Sequence, residues 1–368
     1  MKIFWLFNHP APYKVDLFNE LGKSIELDVL FERASEKGRN AIFYGEKALS
    51  FHAEIANSLP IGGANNLTFV YKKYLKDPAY DVVVLNGWST LTEQLAIHYC
   101  KKRKIPYVFY INGGIKKEDE PRWLRKKKTS SIQGATFYLA PDLRSAEYLE
   151  FYGADPSKIH LYPYSSIHES ELSKKPLSSE EKAVLRKELG LAGKNIYVCS
   201  SQFIERKNNA QLIALWCKMP TESTLLLTGE GPLKEAYLKQ IEELKLTNVK
   251  LLPYLPHKDL FRLYRACDAA VILSKEDIYG HVINEALSQG LPVVATENMN
   301  AALHLLENGK NGFVVSLEDE EGILKALNQI LAPSFIDAAL ETARNNTLEV
   351  SARAHLAFFE SYLTEKQK

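Results

Sequence analysis

Residues 274–296 read SKEDIYGHVINEALSQGLPVVAT, and the order of signals in this stretch decides the fold. The apolar run 269–273 before it has strand character. A short polar loop and a single Gly280 follow, then Val282, Ile283, Ala286 and Leu287 recur at helical spacing until Gly290, and Pro292 opens a second apolar run. Strand, loop, helix and strand in so short a span form the unit from which helix-wrapped parallel sheets are built. The first N–H groups of a helix lack intrahelical partners and lie at the positive end of its dipole. A helix starting near Gly280 therefore favours a phosphate by roughly 0.3–1 kcal/mol, and up to ~2 kcal/mol when partly buried. Glu285 lies one turn in, and its side chain leans back toward the helix start. A carboxylate only accepts hydrogen bonds, which suits the adjacent hydroxyls of a ribose. Asp277 sits in the loop facing that start, and two acids beside a phosphate seat describe a pocket for a nucleotide sugar.

Working outward, 368 residues with 46% hydrophobic and 25% charged residues suffice for two globular domains, each with its own core. Cys100, Cys199, Cys217 and Cys267 are widely spaced, with no C-x-x-C or Cys/His cluster, and read as buried, reduced thiols. No apolar run approaches the ~18 residues of a membrane span. Residues 2–7 read as a strand leading into Asn8-His9-Pro10 rather than as a secretory leader, so the expected location is cytoplasmic. The net charge of +1 hides an asymmetry: residues 1–168 hold 23 Lys/Arg against 18 Asp/Glu, and residues 169–368 hold 23 against 27.

Strand-like runs recur at 3–7, 27–31, 82–85 and 107–111, with helical segments at 15–22 and 90–104 between them. The series restarts after His168, where Ser178 and Glu181 have capping-box spacing ahead of a helix reaching Gly190. Further strands are predicted at 196–200, 225–228, 250–253, 269–273 and 293–296. The expected fold class is α/β, with two doubly wound, Rossmann-like units: an N-terminal one over 1–167 and a C-terminal one over 168–348. In such sheets ligands bind beyond the carboxyl ends of the strands.

Asp277 and Glu285, separated by seven residues and followed by Gln289-Gly290-Leu291-Pro292-Val293-Val294-Ala295, resemble the signature of the family-4 glycosyltransferases, retaining enzymes of the GT-B fold. The family has Glu at the first acid and Gly-Phe-Gly after it; here Asp277 and Ile278-Tyr279-Gly280 stand instead. The resemblance implies a donor site on the C-terminal unit, formed by Gln202, Arg206, Lys207, Gly229, Tyr254, Leu255, Gly280, His281 and Val282. Asp277 is expected on a donor-sugar hydroxyl, and Glu285 on the ribose. The family usually carries Arg and Lys on the donor diphosphate. Lys207 matches the Lys, Gln202 replaces the Arg, and Arg206 stands beside Lys207. Thr228-Gly229-Glu230-Gly231-Pro232 resembles the family's Gly-x-Gly-Pro turn, though a tight strand-to-helix turn explains it equally well. Tyr254 and Leu255 fall where the family reads the nucleobase, and a strand-end turn accounts for the same residues without a ligand.

On the N-terminal unit, Asn86-Gly87-Trp88 and Asn112-Gly113-Gly114 both follow strands. His9, Trp88 and Gly113 are expected on the acceptor side, and Asn112 joins Lys207, Asp277 and Glu285 as the expected catalytic set. Many relatives carry a His near the second position, close to the transferred sugar; Asn112 can position a hydroxyl but cannot act as a general base. In GT-B enzymes the final helix crosses back to the N-terminal domain, which here means residues 349–368. The resemblance also implies a metal-independent reaction with no cofactor. Fixed positive groups replace a divalent ion, the donor is a nucleoside diphosphate sugar with UDP favoured, and the acceptor is a saccharide or lipid-linked saccharide of surface polysaccharide synthesis. The alternatives are a non-catalytic scaffold subunit of the same fold and a sugar-nucleotide epimerase. Basic residues cluster at Lys101, Lys102, Arg103 and Lys104, and again at Lys116, Lys117, Arg122, Arg125, Lys126, Lys127 and Lys128, with Trp123 among them. Such a surface suits an anionic membrane leaflet or is a solvated helix face. No nucleic-acid module accompanies it.

Overall fold

The computed structural model describes residues 1–35, 48–62 and 66–366. The chain divides into two compact units, one made of 1–166 and 347–368 and the other of 167–346. In the first, seven strands pair in parallel: β1 (Lys2–Phe7), β2 (Glu26–Phe31), β3 (His52–Ile55), β4 (Val82–Asn86), β5 (Val108–Tyr110), β6 (Phe137–Ala140) and β7 (Ile159–Leu161). Their order across the sheet is β3-β2-β1-β4-β5-β6-β7. β1 lies inside, and Ile3, Phe4, Trp5 and Leu6 are fully buried, which is why this strand reads as an unbroken apolar run. The helix Pro12–Gly22 follows it with Pro at its first position, where the missing N–H is no loss. The helix Leu91–Arg103 opens on a capping box. Thr90 Oγ1 accepts from the Glu93 N–H at 3.1 Å, and Glu93 Oε2 accepts from the Thr90 N–H at 2.9 Å.

The last helix, Leu348–Lys366, belongs to this same unit and packs on Pro12–Gly22. Its Phe359 meets Trp5 edge-on, as do Phe18 and Tyr110. The edge strand β3 carries His52 and Glu54, faces solvent on much of its surface, and gives no apolar pattern to read.

The second unit has six parallel strands: β8 (Asn195–Ser200), β9 (Ser223–Thr228), β10 (Val249–Leu252), β11 (Ala269–Ile272), β12 (Val293–Thr296) and β13 (Gly312–Val315). They run in the order β10-β9-β8-β11-β12-β13. β10 stops at Leu252 rather than at the expected 253, because Pro253 has no N–H for the ladder. Ser178 and Glu181 close a capping box before the helix Ser179–Glu188. Among the described residues no single helix is long and apolar enough to cross a membrane. Cys100, Cys199 and Cys267 are buried free thiols, whereas Cys217 is exposed, contrary to the expectation for all four. It lies on a short helical turn at the surface rather than on a core strand.

Candidate functional site

In the second unit, β10, β9, β8 and β11 are neighbours and parallel, so the loops after their carboxyl ends share one edge. The loop after β8 ends in a 3-10 turn, Glu205–Lys207. That turn is tied to the loop after β11 by several contacts. The Lys275 N–H donates to the Arg206 carbonyl at 2.8 Å, the Lys275 ammonium pairs with Glu205, and the Lys207 ammonium pairs with Asp277. Arg206 adds a contact of 4.0 Å to the other oxygen of Asp277. The Lys207 and Asp277 side chains are only 10% and 18% exposed, so each neutralises a charge that would be costly alone. Of the residues singled out in the sequence, the structure therefore joins Lys207, Arg206 and Asp277 directly. Asp277, expected on a sugar hydroxyl, pairs here with Lys207, the lysine expected on the diphosphate.

The Asp277 N–H donates to the Asn298 carbonyl at 3.1 Å, and Ala301 donates to the Tyr279 carbonyl at 2.9 Å, which fixes both flanks of the turn at Gly280. Gly280 has φ +100°, a conformation that side-chain-bearing residues rarely adopt, and a Cβ there would run into Met299. The helix Val282–Ser288 starts immediately after it, carrying Glu285 at the half-buried end of its first turn. Asn284 anchors this helix by donating to the Asn346 carbonyl at 2.7 Å.

Gly229 has φ +149°, and a Cβ on it would overlap the Ser201 carbonyl oxygen. The two glycines after β9 thus let that turn lie backbone to backbone on the loop after β8, where Phe203 donates to the Glu230 carbonyl at 2.8 Å. The tight-turn reading of these glycines accounts for what is seen. Thr228 Oγ1 donates to the Pro253 carbonyl at 2.7 Å, tethering the loop that carries Tyr254, 46% exposed, and the half-buried Leu255. Gln202 is exposed on the same edge. His281 and Val282 are half-buried at the helix start.

In the first unit, β1, β4 and β5 are likewise adjacent, and their carboxyl ends carry His9, Trp88, Asn112 and Gly113. His9 is 7% exposed. The Trp88 indole N–H donates to Tyr148 Oη at 2.8 Å. Asn112 Nδ2 donates to Asn86 Oδ1 at 3.3 Å. Behind these loops lie two acids that the sequence reading missed, Glu32 and Glu93, 1% and 0% exposed. Burial first, and then repulsion from Glu93, pushes the Glu32 carboxyl well above the usual range; burial likewise raises Glu93. The Thr-x-x-Glu spacing of residues 90–93 was the one available signal for Glu93. Glu32, directly after a strand, had none.

The basic cluster separates into two faces. Lys126 and Lys127 are exposed, as are Arg122, Arg125 and Trp123, the last by 69%. Lys128 turns inward, pairs with Glu120, donates to Tyr152 Oη at 3.0 Å and stands over the Trp88 ring at 5.8 Å. Burial works against its charge, but the hydrogen bonds to Glu120 and Tyr152 together outweigh it, and the Lys128 pKa moves up. Lys128 is therefore removed from the surface patch. Lys101 is half-buried, donates to the Ser130 carbonyl at 2.5 Å, and has its pKa lowered by burial.

Two parallel doubly wound sheets, with the chain returning to the first unit, define the GT-B class. The chain is similar in fold to a crystal structure of Anabaena HepE in complex with UDP, with a TM-score of 0.75 and 20% identity over 98% of this chain and 100% of that one. Residues 181–346 match the family model described as glycosyl transferases group 1, and the second unit is a domain of that family. The chain is also similar to a Campylobacter jejuni N-acetylgalactosamine-N,N'-diacetylbacillosaminyl-diphospho-undecaprenol 4-alpha-N-acetylgalactosaminyltransferase, 27% identical over 148 residues, or 40% of this chain and 39% of that one. A second relative is the lipopolysaccharide core biosynthesis glycosyltransferase LpsE of Rhizobium meliloti, 28% identical over 169 residues, or 46% and 48%. The chain spans less than half the length of either of these curated relatives.

Proposed function

We propose that the chain is a retaining glycosyltransferase that moves a sugar from a nucleoside diphosphate sugar, UDP favoured, to a hydroxyl of a saccharide. The acceptor is a lipid-linked glycan of surface polysaccharide synthesis, presented at the cytoplasmic face of a membrane. The observation that carries this reading is the joining of Lys207, Arg206 and Asp277 beside the Gly280 turn and Glu285, within a glycosyl transferases group 1 domain. The UDP held by HepE and the diphospho-undecaprenol substrate in the Campylobacter enzyme's name support the donor and acceptor classes.

As the nucleoside diphosphate departs, negative charge builds on its β-phosphate. Lys207, Arg206, Gln202 and the N–H groups of residues 280–282 supply fixed positive potential there, without a divalent ion. Glu285 accepts from the ribose hydroxyls. Incubation with a panel of nucleotide sugars tests the reading: release of a nucleoside diphosphate from at least one donor is expected. Failure to bind or hydrolyse any of them favours a scaffold subunit instead, and a converted sugar without acceptor favours an epimerase. Glu285→Ala is expected to raise the donor KM about tenfold and slow turnover, since it removes hydrogen bonds to a charged acceptor. Wild-type kinetics would remove Glu285 from the ribose.

The exposed face of Trp123, Lys126 and Lys127 is the part of the basic cluster suited to an anionic leaflet. Each basic residue near such a surface contributes ~1 kcal/mol, so Lys126→Gln with Lys127→Gln should weaken co-sedimentation with anionic vesicles about 30-fold. Unchanged sedimentation would dispose of the docking role.

A further inference from the structure

The amide of Asn112 is the end of a chain of hydrogen bonds whose direction is set at a buried carboxylate. Glu93 Oε2 accepts from the Thr90 N–H at 2.9 Å and from Ser89 Oγ at 3.0 Å, and Glu93 Oε1 lies 3.4 Å from Asn86 Nδ2. While Glu93 is ionised it has no hydrogen to give, so Asn86 turns its NH2 toward Glu93 and its carbonyl oxygen the other way. That oxygen lies 3.3 Å from Asn112 Nδ2, which in turn must be the donor. Asn112 Oδ1 is left pointing away from the network, enclosed and with no hydrogen-bond partner among the described residues. Buried carbonyl oxygens are ordinarily paired, and this one stands at the carboxyl end of β5 in the loop group that holds Trp88 and His9.

We propose that Glu93, acting through Asn86, locks the amide of Asn112 so that it presents an acceptor, and that Asn112 thereby selects a hydroxyl proton of a sugar substrate. This deepens the transferase reading and rests on it. Glu93 and Asn86 are positioning residues; only Asn112 touches the sugar. The same hydroxyl chemistry belongs to the donor sugar and to the acceptor saccharide. Glu32 and Arg33 are the charged groups set beside this network, and the Thr90 hydroxyl is committed to Glu32 Oε1 at 2.8 Å. Oε2 of Glu93 already receives two donors, so a proton arriving on Glu93 goes to Oε1, turns Asn86 over and reverses Asn112.

Glu93→Gln tests the chain of directions. Gln fills the same space, and its oxygen keeps the Ser89 and Thr90 donors, so its NH2 faces Asn86 and reverses both amides. The KM for the sugar substrate should rise about tenfold, the loss of one well-placed hydrogen bond, while the melting temperature holds. Adding Asn86→Asp should restore it, because Asp accepts from Gln on one side and from Asn112 on the other. A merely structural Glu93 gives no reason for that rescue. In the wild type the same KM should rise as pH falls through neutrality, since burial raises the pKa of Glu93, and in Glu93→Gln it should not. A rise in the donor KM for acceptor-free hydrolysis assigns the hydroxyl to the donor sugar, and a rise confined to the acceptor KM assigns it to the acceptor. An unchanged KM in Glu93→Gln, or a double variant whose KM is no better than that of the single one, overturns the proposal. No turnover by the wild type on any donor overturns the transferase reading and this proposal with it.

Discussion

Lys207→Ala is expected to lower kcat for donor turnover about 30-fold, the equivalent of ~2 kcal/mol of transition-state stabilisation. Lys207 sits in a nearly enclosed position with its ammonium on Asp277. On the proposed function a leaving diphosphate would meet a cation already held in place, and electrostatic catalysis depends on such preorganisation. Removing the lysine also leaves the Asp277 carboxylate facing an anionic ligand, so the loss should exceed that of one hydrogen bond. Asp277→Asn frees Lys207 from its partner, and the double variant should lose less than the sum of the two singles, because residues in contact couple. Activity is expected to survive a chelator. Full activity in Lys207→Ala would remove this lysine from the chemistry.

The second large effect concerns acid. His355 on the last helix is fully buried, donates through Nδ1 to the Ser351 carbonyl at 2.7 Å, and packs against Tyr162 with ring centres 4.6 Å apart. Burial pushes its pKa down to about 3, with the nearby Lys14 acting in the same direction. A base depressed in the folded state contributes stability above its unfolded pKa, about 6.5, and loses it as pH falls toward the folded value. At pH 4 the loss is on the order of 3 kcal/mol. Lys14 shifts in the same direction but in a window that opens below the ordinary lysine value of ~10.4: it is buried, its side-chain nitrogen lies 2.5 Å from Tyr110 Oη and over the Tyr164 ring at 4.3 Å, and burial holds its pKa well below the lysine range. His355→Phe keeps the ring packing and removes the titrating group. It should be ~1 kcal/mol less stable than wild type at neutral pH, from the lost hydrogen bond, and more stable at pH 4. Near-ultraviolet circular dichroism melts at both pH values decide it; equal acid sensitivity in the two proteins would clear His355.

The parts of this architecture that a sequence can announce are those written in neighbouring residues. Residues 274–296 gave strand, turn and helix in their order because periodicity and a glycine before a helix are local. The capping boxes at 90–93 and 178–181 are local for the same reason. Lys207 and Asp277 lie 70 residues apart, and no spacing rule says that two adjacent strands will bring them together. Lys126, Lys127 and Lys128 look alike in sequence, yet only the third meets Glu120 and turns inward. The network from Glu93 through Asn86 to Asn112 exists only once the ends of β4 and β5 and the start of the helix Leu91–Arg103 are side by side. The short edge strand β3 escaped notice because its side chains are shared with solvent and carry no alternating code.

The last helix has a consequence in time. On a ribosome, residues 167–346 emerge as one uninterrupted run and can close their sheet as soon as they are clear. Trp5 and Tyr162 must wait for His355 and Phe359, made only after all of residues 167–346. The usual vectorial order, in which the earlier-made part folds first, is thus inverted: the portion translated first is the portion whose aromatic interior is finished last.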